Sequence, residues 1–492
     1  MKRLFSSKSQ AKVFPIIIDN KHIISNDSST WVPFYSPNNR SEPLHYAQGA
    51  SVEHAFQAAR SSAAAFRKWR EVPAIERREI LLAAADILEK RRSDGVEIAM
   101  SESIPEKGMA TFFYNGAIIH LKEWASQLTT ALRPIMPISE SNNAMPIIYR
   151  EPIGPVLGIA PWNAASILAL RSFGTPIAAG CTSVYKTSDL ALGSQLHMAQ
   201  ALIDAGLPPG VLNVLHVAPS ITPEIITALI NSTEIKKINF TGSTELGRKL
   251  AIQAAQNLKP ILLELGGKAA AVVLCDANLQ AAVNGILVGA WLNQGQICMS
   301  TERVFVSRKI LDRFMDLLLQ SAEQMRTAFG RYPQVSPQHA MKIYEMIRSA
   351  CEQGATLEFG TLVKPTDSQI EVTILSNVDP TSDIYSEETF GPTFVVVPFD
   401  SETDMIEAVN TSRYGLTASV WTQDIMRGIK IARRIDSGAV HINDMTVHDE
   451  STLPHGGVKD SGYGRFGAEW GLQEFTVTKT VRISGFDSVI CS

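Results

Sequence analysis

Cysteine is scarce in this chain of 492 residues: Cys181, Cys275, Cys298, Cys351 and Cys491, with no C-x-x-C pair among them. An odd count without framework spacing argues against a disulfide scaffold and a structural zinc site. It favours a reducing compartment, with the cytoplasm as the default. Net charge is slight as well, 45 Lys and Arg against 49 Asp and Glu, a formal −4. That balance gives no reason to expect nucleic acid or an anionic membrane as partner. No run reaches about 18 unbroken apolar residues, so no transmembrane helix is expected. The first twelve residues, MKRLFSSKSQAK, carry no acid. A mitochondrial presequence would look similar, but the strand-like stretch from Phe14 to Ile18 follows too soon, and a frayed tail is the better reading. The last residues, Val489 to Ser492, have neither prenylation spacing nor a peroxisomal signal.

What is present is ordinary for a soluble globular protein, 45% hydrophobic and 19% charged. The length is too great for one core and predicts two or more lobes. Residues 51–93 have helical periodicity, with Ile80, Ala84, Ile87 and Leu88 on one stripe. From 156 to 265, short apolar runs alternate with helix-length segments. Runs 156–159, 182–185, 211–217, 237–240 and 261–265 read as strands; 190–205 and 244–256 read as helices. This alternation predicts parallel βαβ units in a doubly wound sheet, with ligands at the carboxyl ends of its strands. Asn163, Lys186, Ser243 and Glu264 fall at those ends. A second alternation from about 270 to 460 predicts a second α/β lobe. Residues 129–151, rich in Pro, Ser and Asn between β-like ends, suggest a protruding hairpin or connector.

Four segments have chemical potential. In Phe240-Thr241-Gly242-Ser243-Thr244-Glu245-Leu246-Gly247 a strand runs into a helix, so free N–H groups and a hydroxyl face an incoming anion. Simple N-capping by Ser243 is the plainer explanation of the same residues. Gly242 and Gly247 also have P-loop spacing, but Arg248-Lys249-Leu250 lacks the hydroxyl that would hold magnesium, which leaves nucleotide hydrolysis a distant alternative. Cys298, between Ile297 and Met299, has the usual look of a buried small hydrophobe. Gly295 and its polar neighbours, however, mark a loop that would present a thiol to a cleft. Glu264 lies in an apolar strand, where burial should raise its pKa toward that of a general base; an ion pair with Lys268 is the competing reading. Asn163, in Pro161-Trp162-Asn163, offers an amide to an oxyanion, though a turn explains the tripeptide equally.

Together these segments resemble the aldehyde dehydrogenase superfamily. PWN, a strand ending in Lys186, FTGSTELG, ELGGK, GQIC, EETFGP and GGVKDSGYGR appear in the family's order, over about residues 14 to 485. The texture of GQICMSTERV and GVKDSGYGRFG is most like the salicylaldehyde, vanillin and benzaldehyde branch. The resemblance implies two Rossmann-like α/β lobes plus a small β oligomerisation element. It divides the chain into a dinucleotide-binding domain (14–128 and 152–265), a catalytic domain (266–459) and an oligomerisation element (129–151 and 476–490). It implies oxidation of an aldehyde to the acid through a thioester, with NAD as cofactor and NADP as the alternative, in a homodimer or homotetramer.

Position by position, the resemblance makes Cys298 the nucleophile, Glu264 the base that activates water, and Asn163 with the Cys298 N–H the oxyanion hole. Lys186 and Asp189 match the adenosine ribose contacts. Trp162, Gly242, Ser243, Thr244 and Gly247 match the pyrophosphate side, Glu388 and Phe390 the nicotinamide side. Ile159 and Leu265 belong to the same cofactor set. Ala164, Arg171, Ile297, Met299 and His455 fall in the substrate pocket. Several positions depart from the family. Thr187 and Ser188 replace Pro-Ser/Ala, and Asp189 replaces a glutamate; a first-turn helix acid is its simpler reading. Ala164 replaces an aromatic and should widen the aldehyde tunnel. His455 replaces a phenylalanine, with a surface or structural histidine as its plain alternative; Arg171 has that of a solvated helix-face residue. His448, Asp449, Glu450 and His455 lack metal-ligand spacing, and no metal is expected.

Overall fold

The computed structural model describes residues 13–36, 41–141, 143–329 and 332–485. The basic N-terminal stretch and the C-terminal residues 489–492 discussed above lie outside that set, as do residues 486–490 of the expected oligomerisation element.

The first lobe is built on an eight-stranded sheet. Its spatial order is Gly462–Tyr463, Ile261–Glu264, Lys237–Thr241, Val156–Ile159, Ser183–Lys186, Leu212–Leu215, Ile16–Ile18 and Lys21–Ile23. The central five pair in parallel; the first joins antiparallel, as do the last two. These central strands are continuous apolar runs because both faces are covered, so alternation has no face to select. The strand at 156–159 and the helix Thr244–Gln256 have the predicted bounds, and the other predicted strands shift by one to a few residues.

The second lobe is a seven-stranded sheet in the order Thr356–Phe359, Thr373–Ser376, Thr393–Phe399, Thr301–Ser307, Ala269–Val273, Thr417–Trp421 and Ala439–Ile442. All its pairs are parallel except the first. Only residues 265–268 separate the two sheets in sequence, so Glu264 ends one sheet at the threshold of the other. After residue 459 the chain returns to the first lobe, where Gly462 pairs with Glu264.

The stripe on the helix Ala74–Lys90 is rotated from the expected one. Leu81, Ala84, Ala85 and Leu88 are fully buried, while Ile80 and Ile87 flank them. The segment 129–151 does not close into a hairpin of its own. Ala144–Pro152 pairs antiparallel with Thr476–Ser484 along nine residues, and an isolated bridge, Ile135 to Ile148, links it to the preceding chain. Tyr149, Val477, Val481 and Ile483 are exposed on this ribbon. Among the described residues no helix is long and apolar enough to cross a membrane.

Candidate active site

Three neighbouring parallel strands of the first sheet end at one place. Val156–Ile159 runs into Pro161-Trp162-Asn163, Lys237–Thr241 into Gly242-Ser243, and Ile261–Glu264 ends on its carboxylate. Such carboxyl ends form a crevice because the loops leave in different directions. The second lobe closes it with residues 292–300, which join the helix Leu279–Trp291 to the strand Thr301–Ser307 and carry Cys298.

That loop is wound tightly. Asn293, Gln294 and Gly295 are consecutively left-handed, with φ of 49°, 59° and 69°. A Cβ on Gly295 would lie 2.0 Å from the Gly391 carbonyl oxygen, so only glycine fits. Hydrogen bonds hold the strained pair: Gln296 Nε2 donates to the Asn293 carbonyl (3.1 Å), Val335 N to Gln296 Oε1 (2.8 Å), and Gln294 to the Phe329 carbonyl. Asn163 Nδ2 donates to the Gln296 carbonyl at 3.0 Å, tying the two lobes together. An amide has a second N–H, and among the described residues no protein acceptor takes it or the Cys298 backbone N–H.

Glu264 is 1% exposed and accepts from three side chains. Cys298 Sγ lies 3.3 Å from Oε1, His455 Nε2 lies 3.2 Å from the same oxygen, and Thr241 Oγ1 reaches Oε2 at 3.3 Å. The raised pKa expected from burial is overturned. Burial does push this carboxyl up, but the His455 hydrogen bond and charge, then the Arg171 charge, outweigh it, and the net shift is downward. The Cys298 thiol moves up, from burial first and then from the Glu264 charge beside it. One proton therefore rests on sulfur while the carboxylate is ionised. Lys268 is not the partner of Glu264. Its Nζ donates to Glu302 (2.5 Å) and to Thr389 Oγ1 (3.0 Å).

Two cavities meet at this sulfur. One, of about 290 Å³, is lined by Trp162, Gly242, Ser243, Leu265, Glu388 and Phe390. The other, of about 570 Å³, is lined by Ala164, Arg171, Ile297, Met299 and His455, with Phe113 and His120 from the helix Lys107–Ala131. Asn163, Leu168, Glu264 and Cys298 belong to both linings.

On the first side, Ser243 caps the helix Thr244–Gln256, accepting from Leu246 N, so the plain capping reading is true of it; it also faces the cavity. Thr244 opens this helix, and Gly247 lies one turn on, where a Cβ would strike Leu265 at 2.4 Å. Helix and strand are thus in close contact, as an anion-binding strand-to-helix turn requires. Ile159 is buried in the core behind the cavity. Lys249, where a P-loop needs a hydroxyl, is exposed and paired with Glu245. Phe390 has φ 54° and meets the Trp162 ring edge-on at 6.0 Å. Its N–H and that of Thr389 donate to buried Glu302, which the sequence reading missed; an acid inside the apolar run Thr301–Ser307 was the available signal. Glu388 accepts from Gly267 N at 3.0 Å, and burial, then Glu302, pushes its carboxyl up to about 7.

Lys186 and Asp189 lie apart from the thiol. Asp189 is exposed and lines a further cavity of about 640 Å³ with Thr187 and His216. Burial lowers the Lys186 ammonium pKa, and Asp189 offsets this. Thr187 Oγ1 bonds the His216 ring at 2.8 Å, and Ser188 N donates to Gln195, so both departures are satisfied locally.

On the second side, Arg171 is no solvated arginine. It is fully buried, and its Nη2 meets both Asp449 oxygens (2.5 and 2.6 Å) and His120 Nε2 (3.1 Å). His455 is likewise buried rather than on the surface. His448 bonds Glu450 at 2.5 Å, and among the described residues no group of three or more His, Cys, Asp or Glu is placed to hold a metal.

The profile of the aldehyde dehydrogenase family matches residues 23–481. A salicylaldehyde dehydrogenase of Pseudomonas putida is 36% identical over 481 residues, 96% of this chain and 98% of that protein. A vanillin dehydrogenase of Pseudomonas fluorescens is 39% identical over 440 residues, 88% of this chain and 90% of that protein. The crystal structure of a salicylaldehyde dehydrogenase from Pseudomonas putida G7, complexed with salicylaldehyde, superposes with a TM-score of 0.92 at 36% identity, covering 97% of this chain and 99% of that one.

Proposed function

The chain belongs to the aldehyde dehydrogenase family, and from that premise we propose that it oxidises neutral, ring-bearing aldehydes to carboxylic acids with NAD. The observation that carries the reading is the meeting of two cavities at Cys298, with Asn163 and Glu264 on the wall they share.

Cys298 sulfur attacks the aldehyde carbon as its proton passes to Glu264 Oε1. Negative charge then grows on the former carbonyl oxygen, beside the second Asn163 N–H and the Cys298 N–H. When bound, the nicotinamide supplies the acceptor for the hydride that leaves this adduct. A thioester remains on Cys298. Glu264, its first proton released to solvent, then takes a proton from water as that water attacks the thioester; the C–S bond breaks, the acid is freed, and Glu264 returns that proton to the departing sulfur. The residues suit the cofactor: a Gly-Ser turn into a 13-residue helix for the pyrophosphate, and Trp162 and Phe390 as a fixed aromatic corner.

The substrate class follows from the larger cavity. Phe113, Ile167, Ile297, Met299 and Val447 give it apolar walls, and about 570 Å³ is ample for a substituted ring. Its one guanidinium, Arg171, stands against three carboxylates, Glu264, Asp449 and Glu450, and is already paired with Asp449. An aldehyde bearing its own carboxylate meets repulsion there, whereas a hydroxyl or carbonyl substituent does not. The names of the relatives, which specify aromatic aldehydes, point the same way. Asp189 would repel a 2′-phosphate on the adenosine ribose, which favours NAD over NADP. We further assign the ribbon of Ala144–Pro152 and Thr476–Ser484 to self-association.

The test is kcat/KM over a panel of benzaldehyde, hydroxybenzaldehydes, acetaldehyde and a carboxylate-bearing semialdehyde, each with NAD and NADP. Neutral ring aldehydes should exceed the semialdehyde by about tenfold or more, as loss of one charge-assisted contact implies. A semialdehyde preference would sink the substrate reading, and equal efficiency with NADP would remove Asp189 from cofactor choice.

A further inference from the structure

His455 is held rigidly at the cavity wall. Its backbone exchanges both hydrogen bonds with Phe466, N to O at 2.9 Å and O from N at 2.7 Å, and its ring is buried. Nε2 of that ring lies 3.2 Å from Glu264 Oε1, the oxygen that also faces the Cys298 sulfur. A carboxylate oxygen accepts, so an N–H on Nε2 is the group that makes this contact by donating. Nδ1 has no protein partner among the described residues. A phenylalanine at 455, which the family resemblance leads one to expect, would fill the same volume and offer no donor.

We propose that His455 is a positioning residue for the general base. Its Nε2–H holds the Glu264 carboxylate on the Cys298 thiol and favours the state in which the pair has lost one proton. This rests on the roles given above to Cys298 and Glu264. Two acids whose heavy atoms are 3.3 Å apart cannot both ionise easily, and they titrate as a pair. The pair must lose one proton before sulfur can attack. Each donor to the shared charge lowers the pH at which that happens. Thr241 supplies one donor on the far oxygen; His455 supplies the other on the oxygen that faces sulfur. The remaining charged or titratable groups around the array are Arg171 and Asp449 (already paired), His120, His441 and Glu388. Among the described residues, the carboxylate of Glu264 is bonded by Thr241, Cys298 and His455 and by none of these.

The variants that separate donation from packing are His455→Phe, which keeps volume, and His455→Gln, which keeps an N–H without a titrating ring. Two profiles are read against pH: the rate of Cys298 alkylation by iodoacetamide, and kcat/KM with benzaldehyde and NAD. In His455→Phe the acid limb of both should move up by about one unit or more, the worth of a lost donor to a buried carboxylate. His455→Gln should return most of that shift. An unchanged acid limb in His455→Phe overturns the proposal, and so do equal shifts in both variants, which would mark a packing role. Should His455→Phe not fold, His455→Met carries the same expectation. If the wild type turns over no aldehyde, the oxidation reading has failed, while the alkylation profile still decides the role of His455.

Discussion

Glu264 accepts from a thiol, an imidazole and a hydroxyl on two oxygens while almost wholly shielded from water. Burial pushes this carboxyl up; the His455 hydrogen bond and charge, then the Arg171 charge, reverse the sign, because each stabilises only the charged form. In the proposed mechanism the contact with sulfur also gives Glu264 work at both ends of the reaction. Glu264→Gln should leave a single-turnover burst of reduced cofactor at full amplitude but slower, and cut steady turnover by about a hundredfold or more. Stopped-flow absorbance at the reduced nicotinamide separates the two; a burst and steady rate that fall in equal proportion would confine Glu264 to the first step. Cys298→Ala should remove both, with the fold intact by circular dichroism. Retained turnover would take the nucleophile role from Cys298.

At the scale of the element, the turn Leu170–Gly174 is wound as a π-helix, and such a bulge displaces a side chain from the regular helical register. Here it carries Arg171 into the buried pair with Asp449. Burial alone would raise the Asp449 carboxyl, but the Arg171 charge, then those of His455 and His120, drive it below the usual carboxylate range. Its contribution to stability is therefore complete above the ordinary aspartate value and is lost as pH falls through the depressed native one. Removing one partner leaves an uncompensated buried charge. Asp449→Asn or Arg171→Met should each cost about 3–5 kcal/mol in denaturant unfolding near pH 7, and the double variant clearly less than their sum. Additive losses would show that the two groups are not coupled. The rotated face of the helix Ala74–Lys90 has a similar origin: Leu81 and Ala85 are as apolar as Ile80 and Ile87, and the neighbouring helices choose between them.

The whole molecule joins two largely parallel sheets through four residues, and strand ends from one line a cavity with the Cys298 loop of the other. The ribbon of Ala144–Pro152 and Thr476–Ser484 stands outside both, with Tyr149, Val477, Val481 and Ile483 exposed on a two-stranded sheet that is too small to be stable by itself. If the ribbon is the contact between copies, Val481→Asp should lower the mass seen by light scattering while the circular dichroism spectrum is kept. An unchanged mass would exclude the ribbon from the contact.

Much of this was legible from the chain itself. Continuous apolar runs separated by helix-length segments specify buried parallel strands, and strand ends in such sheets are where polar residues converge, so Asn163, Ser243 and Glu264 were visible as candidates from periodicity alone. The motif order around Cys298 added the proposed nucleophile. What the chain could not determine were relations between residues far apart in sequence. That Glu264 meets His455 and not Lys268, that Arg171 is neutralised by Asp449, and that 144–152 pairs with 476–484 depend on separations of 191, 278 and more than 300 positions. Local propensity and spacing act over a few turns of chain, whereas the charge state of a buried group is set by whichever side chains packing brings within about 4 Å.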